Sequence, residues 1–397
     1  MKRNAKLFGA LPRFAMRKAI RHPATIAGIF VMAAIFLLFL FSAYAPLLSG
    51  HPYGEFQDPE YKAVTTAQYR AWRQEILDSY GGTQTPEKHA ALLQYEDGYL
   101  SEKNEPEWDE TANGNIHAPE SYTKFLTVES LLRAYSDSAE RAERLKELQH
   151  DNSPAAKLEY ALLKDLPTSN GEGAGEAGDL LLGYYLLACV PAGVLVLALS
   201  DTFAKEKRTR MDEMIICTAR GQWPFWRSVL LGAGGLCLAA LGTLFLFLSV
   251  PALCIGVDLQ APLQNILRQS PYPLTMLGAL CVYLAMVFLG LWSTAAITLT
   301  CAAFLPGSVL PMLLSGGICV GPSLLRMLTG SNNPIFLYTL MGLLSPEHSL
   351  REFHAVTIGA IAIPQPIAVC VLWASISAVL FIVTQLHLRR RFARGVE

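Results

Sequence analysis

Residues 269–325 read QSPYPLTMLGALCVYLAMVFLGLWSTAAITLTCAAFLPGSVLPMLLSGGICVGPSLL, and no Asp, Glu, Lys or Arg interrupts them. Arg268 and Arg326 close a charge-free run of 57 residues. A hydrocarbon layer about 30 Å thick needs roughly 20 apolar residues in helical form. The run therefore holds two membrane spans and a turn. The whole chain agrees with this reading: 52% of its 397 residues are hydrophobic and 16% are charged, against about 25% charged in ordinary soluble domains.

Further apolar segments flank that run. The expected spans are 24–48, 179–200, 229–256, 273–295, 307–328 and 364–387, giving an all-α polytopic protein with six transmembrane helices. Ala43-Tyr44-Ala45 resembles a signal-peptidase site. The apolar run before it is longer than the roughly 7–15 residues of a signal sequence, so the first segment is read as an anchor. Between the fifth and sixth spans, 329–363 is too apolar for a solvated loop. Its apolar core, Phe336–Leu344, has nine residues and is too short to cross. A re-entrant or interfacial hairpin is expected there, with Pro334 and Pro346 as breakers.

Charge orients the path. Lys2, Arg3, Lys6, Arg13, Arg17, Lys18 and Arg21 precede the first span, and Arg389, Arg390, Arg391 and Arg394 follow the last. Basic residues beside membrane segments stay cytoplasmic, so both termini are expected in the cytoplasm and the span count is even. Residues 1–23 read either as an interfacial amphipathic helix on the inner leaflet or as a basic leader that only sets orientation. Residues 49–178 carry 24 acidic and 12 basic side chains, a net −12, and are expected outside as a mostly helical extracytoplasmic domain. Within it Phe125, Leu132, Tyr135, Ala139, Ala142 and Leu145 mark the apolar face of a helix from Tyr122 to Leu148. Glu140 and Arg144 are expected to pair at i,i+4. Gly81-Gly82 and 101–121 are breaks between helices. The Gly-rich stretch 167–178 is a tether, and 179–397 forms the five-helix remainder of the core. The acidity gives solubility or attraction for a cationic ligand.

Several chemistries are excluded by the string itself. No GxxxxGK[ST] phosphate-binding loop and no HExxH zinc motif occurs, so the chain is not expected to be an enzyme, nor to bind a cofactor. No Cys pair has zinc-ligand spacing with a matching His pair, and the eight cysteines read as small apolar fillers. His348 and His354 beside Glu347 and Glu352 form a weak metal candidate. No ionisable group lies deep in a span, which disfavours a proton or ion relay. The connector 201–228 is different. FAKEKRTRMDEMIICTARGQWPFWRSVLLG, Phe203–Gly232, combines a mixed-charge helix, an apolar set and a Gly break. Such a helix either docks in a groove of a cytoplasmic partner or lies on the inner leaflet with its basic residues snorkelling.

This connector, with the six-span layout, resembles the permease subunits of type-2 ATP-binding-cassette (ABC) exporters. Their loop follows approximately F-x-x-E-K-E-x-G-T-L-E-x-L-L-x-T-P. Phe203, Glu206, Lys207, Glu213, Ile215, Ile216 and Thr218 stand at matching positions, whereas Arg210 and Met211 replace Gly-Thr and Ala219 replaces Pro. The chain is thus similar to a divergent member. The resemblance implies a coupling helix over Glu206–Thr218, including Arg210 and Asp212, seated in cytoplasmic ABC ATPase subunits that carry ATP and Mg. It also implies a second permease copy or homologous permease and a substrate pathway at their interface, for which Ser293, Thr294, Thr298 and Tyr338 are the candidate lining. The implied setting is the bacterial plasma membrane, with lipids and no nucleic acid as partners. The rival expectation is a non-transporting sensor or scaffold whose outer domain binds a ligand or wall component.

Overall fold

The computed structural model describes residues 23–48, 63–81, 85–103, 119–166, 188–203, 222–250, 253, 259–267, 270–329 and 334–394. The N-terminal basic segment, the tether 167–178, the start of the second expected span and the connector residues 204–221 lie outside them. The described chain is mostly helical.

The acid-rich segment forms a set of helices between two apolar ones. After α1 (Pro23–Leu48) come α2 (Thr66–Tyr80), α3 (Pro86–Lys103), α4 (Pro119–His150) and α5 (Pro154–Lys164). Their ends follow from capping chemistry. Thr65 accepts from the Gln68 amide at 3.3 Å while the Gln68 side chain accepts from the Thr65 amide at 2.9 Å, a reciprocal box. Gly81 closes α2, its amide donating to Leu77 O at 2.7 Å. Ser153 caps α5 through the Ala156 amide, with Pro154 in the first turn. Ile76, Leu92, Val128 and Leu131 form the small core of α2, α3 and α4.

The buried face of α4 differs from the expected one. Thr123, Thr127, Val128, Leu131 and Ala134 face inward, while Ala139 and Ala142 are exposed. Thr123 and Thr127 return their hydroxyls to the carbonyls of Pro119 and Thr123, at 2.7 and 2.8 Å. Satisfied in this way, they bury like apolar residues. Arg144 also departs from expectation: it is held by Glu159 of α5 and by Glu147. A bidentate partner from another helix outcompetes a single exposed i,i+4 contact.

The second body is a helical bundle: α1, α6 (Cys189–Ser200), α7 (Gln222–Leu244), α8 (Met276–Phe304), α9 (Val309–Thr329) and α12 (Gln365–Arg394). Segments of α7, α8 and α12, namely Trp226–Phe247, Met276–Phe304 and Gln365–Arg390, are long and apolar enough to cross a membrane; Thr25–Leu38, Cys189–Ser200 and Val309–Pro322 are shorter apolar stretches. The most apolar 18-residue stretch of α8 is 61% buried against 17% for that of α12, so α8 is the hub. Its neighbours are α6, α7, α9 and α12. The five residues that follow α7, Phe245–Ser249, widen into a π-helix in which Val250 donates to Phe245 O. Pro251 follows in sequence and has no N–H to offer Phe247 O, which favours this slip.

Contacts fix the direction of each helix. Ser293 meets Ser377 and Thr300 meets Thr384, both at 2.9 Å, so α8 and α12 run parallel. Trp226 lies against Phe381 and Gly234 against Trp292, so α7 runs the opposite way. A short turn through Gly307, at φ 72°, reverses the chain from α8 into α9. Gly28 of α1 abuts Val194 and Leu197 near the end of α6, and Phe36 stacks on Phe247 at the end of α7. Helix direction therefore alternates through α1, α6, α7, α8, α9 and α12. One end of the bundle carries Phe203, Trp226, Phe304 and Arg389–Arg390. The other carries residues 259–267, 270–275 and 334–364.

Residues 334–364 fold as a 3₁₀ turn (Pro334–Tyr338), α10 (Leu340–Leu344), α11 (Glu347–Arg351) and a hairpin of β1 (Ala355–Ile358) and β2 (Ile361–Pro364). The short apolar element enters the core: Leu340, Leu343 and Leu344 are buried, and the last two cover Gly290 of α8. The two strands correct the all-α expectation for this stretch, since β-branched Val356, Thr357, Ile358, Ile361 and Ile363 flank Gly359, whose positive φ makes the turn. α5 packs on both strands and its Leu162 reaches the bundle core, joining the two bodies.

Candidate functional site

Three places concentrate polar or mechanical features. The first is the pair of shoulders of the 201–228 connector. Phe203, just past α6, and Trp226, in the first turns of α7, are each 4% exposed and belong to the main core. Trp226 meets Phe381, which in turn meets Trp292 at 5.1 Å. Both described ends of the connector are thus buried in the main core, the Trp226 end against α12 and, through Phe381, α8. Of the coupling residues expected from sequence, the structure describes Phe203; Glu206, Lys207, Arg210, Asp212, Glu213, Ile215, Ile216 and Thr218 lie outside the described residues.

The second is a hydroxyl seam in the bundle. Ser293, Thr294 and Thr298 are fully buried. Ser377 donates to Ser293, Thr294 returns its hydroxyl to Gly290 O at 2.9 Å, and Thr298 returns its own to Thr294 O at 2.8 Å. Thr300 and Thr384 repeat the cross-helix contact seven residues on. Within one chain this seam ties α8 to α12, because a hydroxyl in an apolar medium is retained only when it is bonded. Tyr338 lies apart from it, half-buried near the domain end, where its carbonyl accepts from the Trp373 indole at 3.0 Å. Close by, the fully buried Gln365 donates to Leu337 O and to Ser349. Gln264, also fully buried, donates to Ser270 O and Tyr272 O. Among the described residues the side-chain oxygens of both glutamines have no hydrogen-bond partner. Sequence reasoning passed over Ser377, Thr384, Gln264 and Gln365. The seven-residue spacing of Ser377 and Thr384 in an apolar helix was the available signal.

The third is a cleft of about 440 Å³ where α4 and α5 meet the bundle. Asp137, Glu140, Glu143, Glu147, Glu159 and Glu352 line it with Arg141 and Arg144, above Ser270, Pro271 and Phe353. Burial pulls the Arg141 guanidinium below its usual range despite the opposing pull of Asp137. Hydrogen bonding to Glu159 raises Arg144. The excess of carboxylates makes the cleft attractive to cations. His354 contacts Glu352 at 3.4 Å. Among the described residues no group of three or more His, Cys, Asp or Glu is placed to hold a metal.

Free cysteines follow the apolar surroundings: Cys237 and Cys319 are buried, and Cys281 is exposed on α8. Gly317 and Gly321, a close-packing spacing on α9, have no heavy atom within 4 Å of an added Cβ, so the notch is unused by the described residues of the same chain. No protein-family model, no curated protein and no solved structure matches the chain.

Proposed function

We propose that the chain is the membrane subunit of an ATP-driven exporter, a divergent relative of type-2 ABC permeases, powered by separate ATPase subunits. In this reading six helices cross a bacterial plasma membrane. The basic segments 2–21 and 389–394 are cytoplasmic, and the acid-rich helices α2–α5 are outside. Support comes from the alternating helix directions and from the placement of α4 and α5 at the bundle end opposite Arg389–Arg390.

The observation that carries the proposal is the burial of both described ends of the 201–228 connector. Its shoulders, Phe203 and Trp226, are buried in the same core as the hub helix. A displacement of this connector by a nucleotide-driven partner would pass directly to α6 and α7, and through Phe381 to α8 and α12. Glu206–Thr218 would make the partner contact. Ser293, Thr294 and Thr298 would reach a pathway only on separation of α8 from α12 or at a contact with a second permease.

Purification in mild detergent tests the proposal directly. An ATPase with a phosphate-binding loop should accompany the chain, and Glu213→Arg should remove it while membrane insertion stays intact. Absence of any ATPase from the native preparation would overturn the reading. One feature favours a second reading, a sensor or scaffold: the acidic cleft sits where the outer helices meet the bundle, suited to passing ligand binding inward. Cationic-ligand binding without an ATPase companion would select it.

A further inference from the structure

We propose that the tip of the β1–β2 hairpin, Ile358–Ile361, is inserted in the lipid leaflet at the bundle end where α12 begins, anchoring the outer helices to the membrane surface. This rests on the chain being embedded in a membrane and is independent of export.

The register pairs Ile358 with Ile361, leaving a two-residue turn of Gly359 and Ala360, with Gly359 at φ 62°. Turns of this length in water favour Asn-Gly or Asp-Gly. Here the ten residues 355–364, AVTIGAIAIP, contain one polar side chain, Thr357, and no charge. Ile358 and Ile361 are 65% and 66% exposed, as open as Val371 and Val379 on the outward face of α12 at 60% and 57%. Thr357 beside the tip is exposed as well. Towards the base, Val356, Ala362 and Ile363 are partly covered, and α5 and α12 both pack on the hairpin.

Chain continuity selects lipid as the cover. β2 ends at Pro364 and α12 starts at Gln365, so no linker separates the hairpin from a membrane-spanning helix. Four strand residues at about 3.3 Å each keep the tip within about 13 Å of the helix start. The outward apolar surface of α12 begins at Ile367. The tip is thus within reach of the acyl boundary. A second protein copy fits less well. Stable interfaces bury about 800 Å² per partner, and two isoleucines with the intervening Gly and Ala offer roughly a few hundred. A bilayer accepts an apolar tip of any size, in proportion to the area buried. The hairpin gains as well, since two short strands alone are marginal in water.

The test places a cysteine at Ile358, or at the exposed Arg133 of α4, in the full chain with its eight native cysteines replaced, and attaches a polarity-sensitive fluorophore. In phosphatidylcholine vesicles, lipids carrying a nitroxide high on the acyl chain should quench the label at 358 several-fold more than at 133, with blue-shifted emission. Equal, water-like behaviour at both sites would overturn the proposal. So would pyrene excimers at 358 without lipid quenching, which would identify a second copy as the cover. If the substituted background misfolds, hydrogen exchange on the unmodified chain decides. Among the described residues no backbone carbonyl outside the strand pairing accepts from the Gly359 or Ala360 amide. These amides should exchange several-fold more slowly in lipid nanodiscs than an unstructured amide of the same sequence, and exchange at the unstructured rate would refute insertion.

Discussion

Gly342→Ala should be the most damaging of three Gly→Ala substitutions in the bundle, and its cost can be worked from the contacts. A Cβ at Gly342 would lie 2.0 Å from Leu337 O and 3.0 Å from Leu337 C. Backbone cannot rotate aside, so the 3₁₀ turn must move away from α10. Leu337 O also accepts from the buried Gln365 side chain at 3.2 Å. Overpacking a filled core costs about 1–3 kcal/mol, and losing that hydrogen bond adds about 1 kcal/mol. The total is about 2–4 kcal/mol. At Gly290 the added methyl meets Leu344 Cδ2 at 2.9 Å and Leu343 Cβ at 3.2 Å. The first is the far end of a flexible side chain, so about 1–2 kcal/mol is expected. At Gly317 it meets nothing within 4 Å, and the better helix propensity of Ala, up to about 1 kcal/mol, makes the change neutral or stabilising. Thermal unfolding of the full chain in detergent should rank the midpoints Gly342→Ala lowest, then Gly290→Ala, with Gly317→Ala at or above wild type. A wild-type midpoint for Gly342→Ala would refute the geometry. A larger loss at Gly317 than at Gly342 would mean that another subunit fills the α9 notch.

Three further outcomes are expected. Ser377→Ala removes the donor to Ser293 and should cost about 0.6–1.7 kcal/mol; combined with Ser293→Ala it should cost less than the sum, read as a double-mutant cycle by thermal shift. Arg144→Ala breaks a bidentate contact to Glu159 at 2.9 and 3.0 Å; with the guanidinium half exposed, about 1 kcal/mol is expected, seen as faster hydrogen exchange across 154–164 with the bundle unchanged. Lys124 is raised above its ordinary pKa by hydrogen bonds to Glu120 and then Glu75. Its contribution is complete below the unfolded value near 10.4 and is lost as pH rises through the higher folded value. Exchange protection of α2 against α4 should therefore fall only in strong alkali, and Lys124→Met should abolish that alkaline step.

Much of the bundle was legible in the sequence because hydropathy is summed along the chain and needs no partner. The charge-free run 269–325 resolves into α8 and α9, the breaker at Gly81 ends α2, and the first apolar segment is helical as α1, with Thr25–Leu38 as its apolar stretch. The functional candidates were less legible. Ser293, Thr294 and Thr298 look alike in sequence, yet Ser293 alone among them donates or accepts across to α12, while the other two bond within their own helix. Arg144 found Glu159 in α5 and not Glu140, and Thr123 and Thr127 took the buried face of α4.

By itself, then, the sequence determined which segments are apolar, where they break and how positive charge is divided between the ends. Tertiary structure decided that α8 is the hub, that α12 lies parallel to it in heptad register, that Phe203 and Trp226 share one core, and that 355–364 becomes a hairpin. The division has a physical cause. Transfer from water is a property of each residue and its near neighbours, whereas hydrogen bonds, steric fit and burial depend on which surfaces the folded chain brings together.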